Sequence, residues 1–302
     1  MQPNAEITVE YAPGTLSDEM LRTLVRCGVN RVSLGVQSFV DQEAASVARL
    51  HKRATVLGDV VRLRSTGISN INIDLIAGLP HQTAASWEAS LKELISLEAP
   101  HASIYMLEVD EESRLGRELL AGGQRYHAHF VPDEELTADL YEMACGWLNS
   151  AGICQYEISN FARAGFESEH NLKYWTRQPY LGFGVDAHSM LRSRENTAVR
   201  FSNPESLEQY LSGTARQVTL VSSEDGLEEC FFLGLRLNRG VSLPELTAQF
   251  GAPAVDAHAA TIAELLNLGL LEKKGNVIRL TSRGRLLSNE VFERFISAEF
   301  AV

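Results

Sequence analysis

Residues 70–83, NINIDLIAGLPHQT, read as a buried strand that carries a carboxylate, Asp74, and then turns through GLPHQT into a helix. Thr83 stands where an N-cap belongs, and Trp87, Leu91, Leu94 and Ile95 recur at helical spacing behind it. Three other runs repeat the pattern. ITVEY ends at Glu10, RVSLGVQSF runs into Gln37, and ASIYMLEVD reaches Glu108. Each run is apolar enough to be buried on both faces and each precedes a helical pattern, as in the parallel strands of an α/β sheet. Polar groups at the carboxyl ends of such strands are where α/β proteins hold small molecules.

The helices between these strands fall at about 17–28, 44–49 and 54–65. A longer one follows Pro132, with Leu136, Leu140, Met143 and Trp147 at core spacing. QYEISNFA, residues 155–162, reads as one further strand, and the pattern becomes irregular between about 184 and 222. Beyond it come helices at 227–237, 242–251 and 254–268. Two short strands around Lys274-Gly275-Asn276 follow, then a last helix at 283–295. Helices followed by such a hairpin make a winged-helix-like unit, so two domains are expected, residues 1–220 and 221–302.

Charge bounds the partners. Lys and Arg number 27 against 39 Asp and Glu, a formal net charge of −12, which argues against broad binding to nucleic acid or anionic lipid. The helix that would read DNA in a winged-helix unit, AVDAHAATIAELLNLG, holds no Lys or Arg. No stretch of eighteen apolar residues suggests a membrane span, and MQPNAEITVE has neither the basic nor the apolar region of a signal peptide. A cytoplasmic protein is expected. Its four cysteines, Cys27, Cys145, Cys154 and Cys230, lack the spacing of a zinc or iron–sulfur motif.

Glu10, Gln37, Arg49 and Asp74 form a polar set that suits a ligand bearing a positive charge, a carboxylate and hydroxyls. On spacing alone they read equally well as ordinary polar residues at strand ends and on a helix. GFGVDAHS lacks the strand–helix frame of a dinucleotide fingerprint, and His188 within it reads as a structural partner.

The ordered segments EITVEYAPGTLS, GVNRVSLGVQSF, NINIDLIAGLPHQT, QYEISNFA, HNLKYW and YLGFGVDAHS together resemble the radical-SAM coproporphyrinogen III oxidase-like family, in its heme-chaperone (HemW) branch. The resemblance runs from about residue 6 to 295. It implies a partial (β/α) barrel that holds S-adenosylmethionine (SAM) at its strand ends, followed by a small winged-helix-like domain. By motif, Glu10 lies near the SAM ribose, Gln37 beside the ligand, Arg49 at its charged end and Asp74 at a further polar group. HNLKYW corresponds to the heme-linked HNxxYW of the chaperone branch, which makes His170 the heme contact, with Tyr174 and Trp175 as flat faces. Without the resemblance, HNLKYW reads as a surface histidine beside a packed tryptophan. The family also begins with a strand and a CxxxCxxC loop for a [4Fe–4S] cluster. This chain starts at what would be the third barrel strand and lacks those ligands, so a shortened form of a longer protein is expected. The implied partners are heme and heme-accepting proteins. The implied alternatives are oxygen-independent coproporphyrinogen III oxidation and a non-catalytic relative.

Overall fold

The structure is a computed structural model and describes residues 4–109, 114–123, 125–193, 196–214 and 216–296. The chain forms two compact units, Met1–Glu167 and Ser168–Val302.

In the first unit strands and helices alternate: β1 (Thr8–Tyr11), α1 (Asp18–Arg26), β2 (Arg31–Gln37), α2 (Asp41–Ser46), α3 (Arg53–Ser65), β3 (Asn70–Ala77), α4 (Ala84–Ser96) and β4 (His101–Met106). Next come α5 (Arg114–Leu120), a 3-10 turn (Arg125–Phe130), α6 (Glu134–Ser150), β5 (Cys154–Gln155) and β6 (Asn160–Ala162). The sheet order is β1-β2-β3-β4-β6-β5. β1 to β4 pair in parallel, and β6 joins β4 antiparallel. Thr83 caps α4 in a reciprocal box with Ser86, and Asp133 caps α6, so both helices start where their donors are satisfied.

The two faces of this sheet differ. Val32, Leu34, Val36, Ile71, Ile73, Leu75, Ala102 and Ile104 are buried apolar residues that alternate along the strands with polar ones. β2 to β4 are thus largely buried on both faces, as the runs suggested, but one of those faces is polar. β1 departs furthest. It is an edge strand with alternating exposure, and Glu10 is exposed. QYEISNFA is likewise two short strands rather than one. The Glu157 carboxylate accepts from the Ser159 N–H at 3.0 Å and from the Asn160 amide, which turns the chain back on itself. In α6 the buried stripe is Leu140, Tyr141, Ala144 and Leu148, one step round from the expected one, and Trp147 instead faces the Lys92 ammonium at 5.7 Å.

The second unit opens with α7 (Glu169–Trp175). A three-stranded antiparallel sheet of β7 (His188–Arg192), β8 (Ala198–Ser202) and β9 (Gln217–Val221) follows, with α8 (Leu207–Leu211) between its last two strands. This sheet occupies the stretch that looked irregular in sequence. Then come α9 (Ser223–Leu235), β10 (Val241–Ser242), α10 (Leu243–Phe250), α11 (Ala252–Asp256), α12 (Ala259–Asn267), β11 (Leu271–Lys274), β12 (Val277–Leu280), α13 (Ser282–Leu286) and α14 (Ser288–Glu293). The hairpin β11–β12 also pairs with β10, which gives the three-stranded wing. Both long helices expected here are broken. His258 separates α11 from α12, its ring 4.9 Å from Phe231, which stacks on Phe295 at 4.7 Å. α13 must approach the Leu270 carbonyl so closely that a Cβ on Gly284 would lie 2.0 Å from it, so only glycine fits. Arg177 and Arg200 both pair with Glu229 of α9.

Trp87 anchors α4 against α6. It is fully buried and its indole N–H donates to the Leu140 carbonyl at 2.7 Å. Trp87→Phe is expected to lower stability by about 1–2 kcal/mol and Trp87→Ala by about 3–5 kcal/mol, read as urea midpoints at unchanged slope. Equal midpoints for wild type and Trp87→Ala would remove this anchor from the account.

Candidate functional site

The parallel register sets the site. Glu10 lies opposite Ser33, Gly35 opposite Asp74, and Asp74 opposite Ser103. Partners opposite one another in register project to the same face, so Glu10, Ser33, Gly35, Asp74 and Ser103 share one side of the sheet.

Two features bring Gln37 and Arg49 to that side. β2 carries a bulge between Gly35 and Gln37, and Gln37 has a left-handed backbone at φ 67°. Such strain in a non-glycine residue costs about 1–3 kcal/mol and survives only where its surroundings fix it. A Cβ on Gly35 would lie 3.2 Å from Nε2 of Gln37 and 3.8 Å from an Arg49 guanidinium nitrogen. Glycine at 35 therefore leaves room for both side chains over the strand. The structure thus brings Gln37, Arg49 and Asp74 together around Gly35, with Glu10 on the neighbouring edge strand of the same face. Glu108 follows β4 and is exposed.

Asp74 accepts from the Ser33 hydroxyl at 2.9 Å and from the Asn72 amide at 2.6 Å. Burial pushes its carboxyl above the usual aspartate range against the lowering effect of these bonds, and the Glu10 charge adds to the rise. Behind Asp74 runs a polar array that the sequence reading did not single out. The Asn72 amide also reaches Ser33 at 2.8 Å and Ser103 at 3.0 Å. His101 is buried with Nδ1 2.6 Å from the Asn72 carbonyl oxygen and Nε2 2.9 Å from the Tyr156 hydroxyl. Ser103 donates to Asn160 at 2.9 Å, and Asn160 donates to Glu157. The signal was present as a period of two: Arg31-Ser33-Gly35, Asn70-Asn72-Asp74 and His101-Ser103-Tyr105 alternate with apolar residues.

Burial, with a smaller contribution from the Arg31 charge, holds His101 well below the ordinary imidazole value, so the ring is neutral, donating to Asn72 and accepting from Tyr156.

His170 lies in the second unit, on the first turn of α7, where its exposed ring meets Tyr174 edge-on at 4.9 Å. Tyr174 in turn packs on Tyr180 at 4.7 Å, and the Arg236 guanidinium lies 4.2 Å over the Trp175 ring. His188, expected as a structural partner, is exposed at the start of β7 with Asp186 3.8 Å away.

The donor set suits a small ligand with a cationic and a carboxylate end: a carboxyl group, an amide and a guanidinium meet around Gly35, and the Glu10 carboxyl stands on the neighbouring edge strand of the same face. The thiols do not suit an iron–sulfur cluster. Cys27, Cys145, Cys154 and Cys230 lie in different elements, and no three His, Cys, Asp or Glu side chains converge for a metal among the described residues.

The pH dependence of stability tests the neutral state of His101. A histidine with a depressed folded pKa favours the native state above its unfolded value of about 6.5, and that contribution is lost as pH falls toward the folded value. Below about pH 6.5 wild type is expected to lose about 1.4 kcal/mol per pH unit more than His101→Gln, in urea titrations at matched pH. Parallel pH profiles for the two proteins would show that His101 is not held neutral.

Comparison with known proteins agrees with this architecture. Residues 1–94 match the Radical SAM superfamily, and residues 221–287 match the HemN C-terminal domain. The chain is 37% identical over 298 residues to "Heme chaperone HemW" of Bacillus subtilis (strain 168), covering 97% of this chain and 76% of that protein. It is 34% identical over 295 residues to the protein of the same name from Lactococcus lactis subsp. lactis (strain IL1403), covering 96% and 75%. Among solved structures, coproporphyrinogen III oxidase (HemN) from Escherichia coli, described as a radical SAM enzyme, superposes with a TM-score of 0.78 at 23% identity. That match covers 96% of this chain and 69% of the oxidase, and it speaks to the fold. With relatives this similar over nearly its whole length, a parallel sheet of the radical-SAM kind and a winged C-terminal domain, the chain belongs to the heme chaperone HemW family.

Proposed function

We propose that this protein binds heme and passes it to heme-accepting proteins, on a radical-SAM scaffold whose polar sheet face holds SAM. One observation carries the heme reading: HNLKYW forms α7, and its His170 imidazole stands exposed beside the Tyr174 ring in a chain of the HemW family. An exposed imidazole can ligate heme iron, and a neighbouring aromatic face can cover part of the porphyrin. An exposed site also suits a carrier, which must release its cargo to an acceptor. The free thiols Cys27 and Cys154 are exposed, which fits a reducing compartment such as the cytoplasm.

On the sheet, Arg49 pairs the carboxylate end of SAM and Gln37 bonds beside it. Glu10 accepts from the ribose hydroxyls, and Asp74, whose carboxyl burial pushes above the usual aspartate range, meets a further polar group. When bound, SAM supplies a sulfonium centre. Residues 1–220 carry these contacts in this proposal, and 221–302 form the winged-helix-like domain.

Hemin titration tests the heme site. His170→Ala is expected to weaken binding about tenfold or more and to alter the Soret band, since it removes an iron ligand. No Soret change with wild type, or an equal one in His170→Ala, would overturn the assignment. For the sheet site, equilibrium dialysis with labelled SAM is expected to show binding that Arg49→Ala weakens about tenfold. Gly35→Val should match it by displacing Gln37 and Arg49, and wild-type affinity in both variants would count against the site.

A further inference from the structure

His81 sits in the loop that follows β3, and His127 lies 46 residues further on, in the 3-10 turn. Nε2 of His81 is 3.1 Å from Nδ1 of His127, with the ring centroids 5.0 Å apart and the planes at 67°. Both residues have left-handed backbones, φ 69° and φ 60°, which residues other than glycine seldom adopt. The His81 N–H donates to the Phe130 carbonyl at 2.9 Å, so backbone also joins the loop to the turn. Phe130 packs on the His81 ring at 3.9 Å, and His129 packs on the same phenyl ring at 3.9 Å. Two imidazoles from distant segments are thus held with a nitrogen of each turned to the other.

Two imidazole nitrogens bound to one tetrahedral zinc ion at about 2.0–2.1 Å stand about 3.3–3.4 Å apart. The separation of this pair falls a few tenths of an ångström short of that, so a small turn of either ring brings both lone pairs to one ion. Burial, then the charges of His127 and His129, hold His81 below the ordinary imidazole value, which keeps it in the neutral form that ligates metals. The buried Glu43 carboxylate acts on the same ring in the opposite sense and favours positive charge there. His127 is exposed, so an ion can enter with its water. No third His, Cys, Asp or Glu joins the pair among the described residues, and water therefore fills the remaining positions of a four-coordinate ion.

We propose that His81 and His127 form a binding site for a divalent transition-metal ion of the zinc class, His81 through Nε2 and His127 through Nδ1. Imidazole donors select zinc and its neighbours over magnesium and calcium, which take oxygen ligands. The two ligands come from the loop after β3 and from the 3-10 turn, so a bound ion ties these segments together. The site uses neither His170 nor the polar set around Gly35, and it stands whether or not heme or SAM binds. His129 is engaged on Phe130 and lies outside the pair.

The test uses the full chain without a histidine tag, titrated with zinc and with magnesium by calorimetry. Wild type is expected to bind zinc, and His81→Gln and His127→Gln each to bind it about tenfold or more weakly. His129→Gln and His188→Ala, which alter exposed imidazoles outside the pair, are expected to match wild type within about twofold. Zinc is expected to raise the melting temperature of wild type and to leave that of the two pair variants unchanged. With copper as a spectroscopic probe, the nitrogen couplings of two imidazoles are expected in wild type and of one in either pair variant. Melting curves in chelator accompany the titrations. His127 is exposed on its turn, so His127→Gln carries the comparison if His81→Gln does not fold. A pair that is only hydrogen-bonded gives no zinc binding, and that result overturns the site. Zinc binding undiminished in His127→Gln, or weakened equally in His129→Gln, also overturns it. Magnesium bound as tightly as zinc overturns the choice of ion.

Discussion

The Asn72 side chain holds the centre of the first unit together. Its amide and carbonyl meet Ser33 on one strand, Asp74 on its own, and Ser103 and His101 on the next. One face of the sheet is therefore a connected array of polar groups, and the other packs apolar side chains. A buried polar face is stable only if its donors and acceptors answer one another, because an unpaired group loses its water without compensation. That requirement fixes the tautomer of His101 and the position of Asp74. The groups that face a ligand thus stand on a scaffold that has little freedom to rearrange.

Local strain appears where the array ends. The bulge in β2 and the left-handed Gln37 turn an amide back over Gly35, next to Arg49. Helix α2 and the segment after it place that arginine. A regular strand would have carried Gln37 on along the sheet, away from Asp74. The distortion is the means by which one strand and one helix deliver their polar groups to the same point.

The second unit answers the same rule differently. Glu229, buried in α9, is shared between Arg177 and Arg200, so α7 and β8 are tied to the winged-helix-like core by charge rather than by apolar contact alone. A buried carboxylate shared by two guanidinium groups keeps each partner in place, since removal of any one strands a charge away from water. Nη1 and Nη2 of Arg177 stay buried without a hydrogen-bond partner beside this pair.

Much of this was legible in the sequence. Apolar runs followed by helical patterns located β2, β3, β4 and the helices between them, because hydrophobic periodicity reflects which face each element buries. Thr83 marked the start of α4, and six ordered motifs pointed to the family. Other features depended on partners distant in the chain. β7 to β9 alternate weakly and expose many side chains, so only their pairing reveals them as a sheet. The hairpin at Gln155 turns on the Glu157 carboxylate, and α11 separates from α12 where His258 meets Phe231. Sequence alone determined the order of elements and the polar residues at their ends. The tertiary structure decided which of those residues share a face and which donors remain unanswered, because register, bulge and burial arise only when separate segments pack.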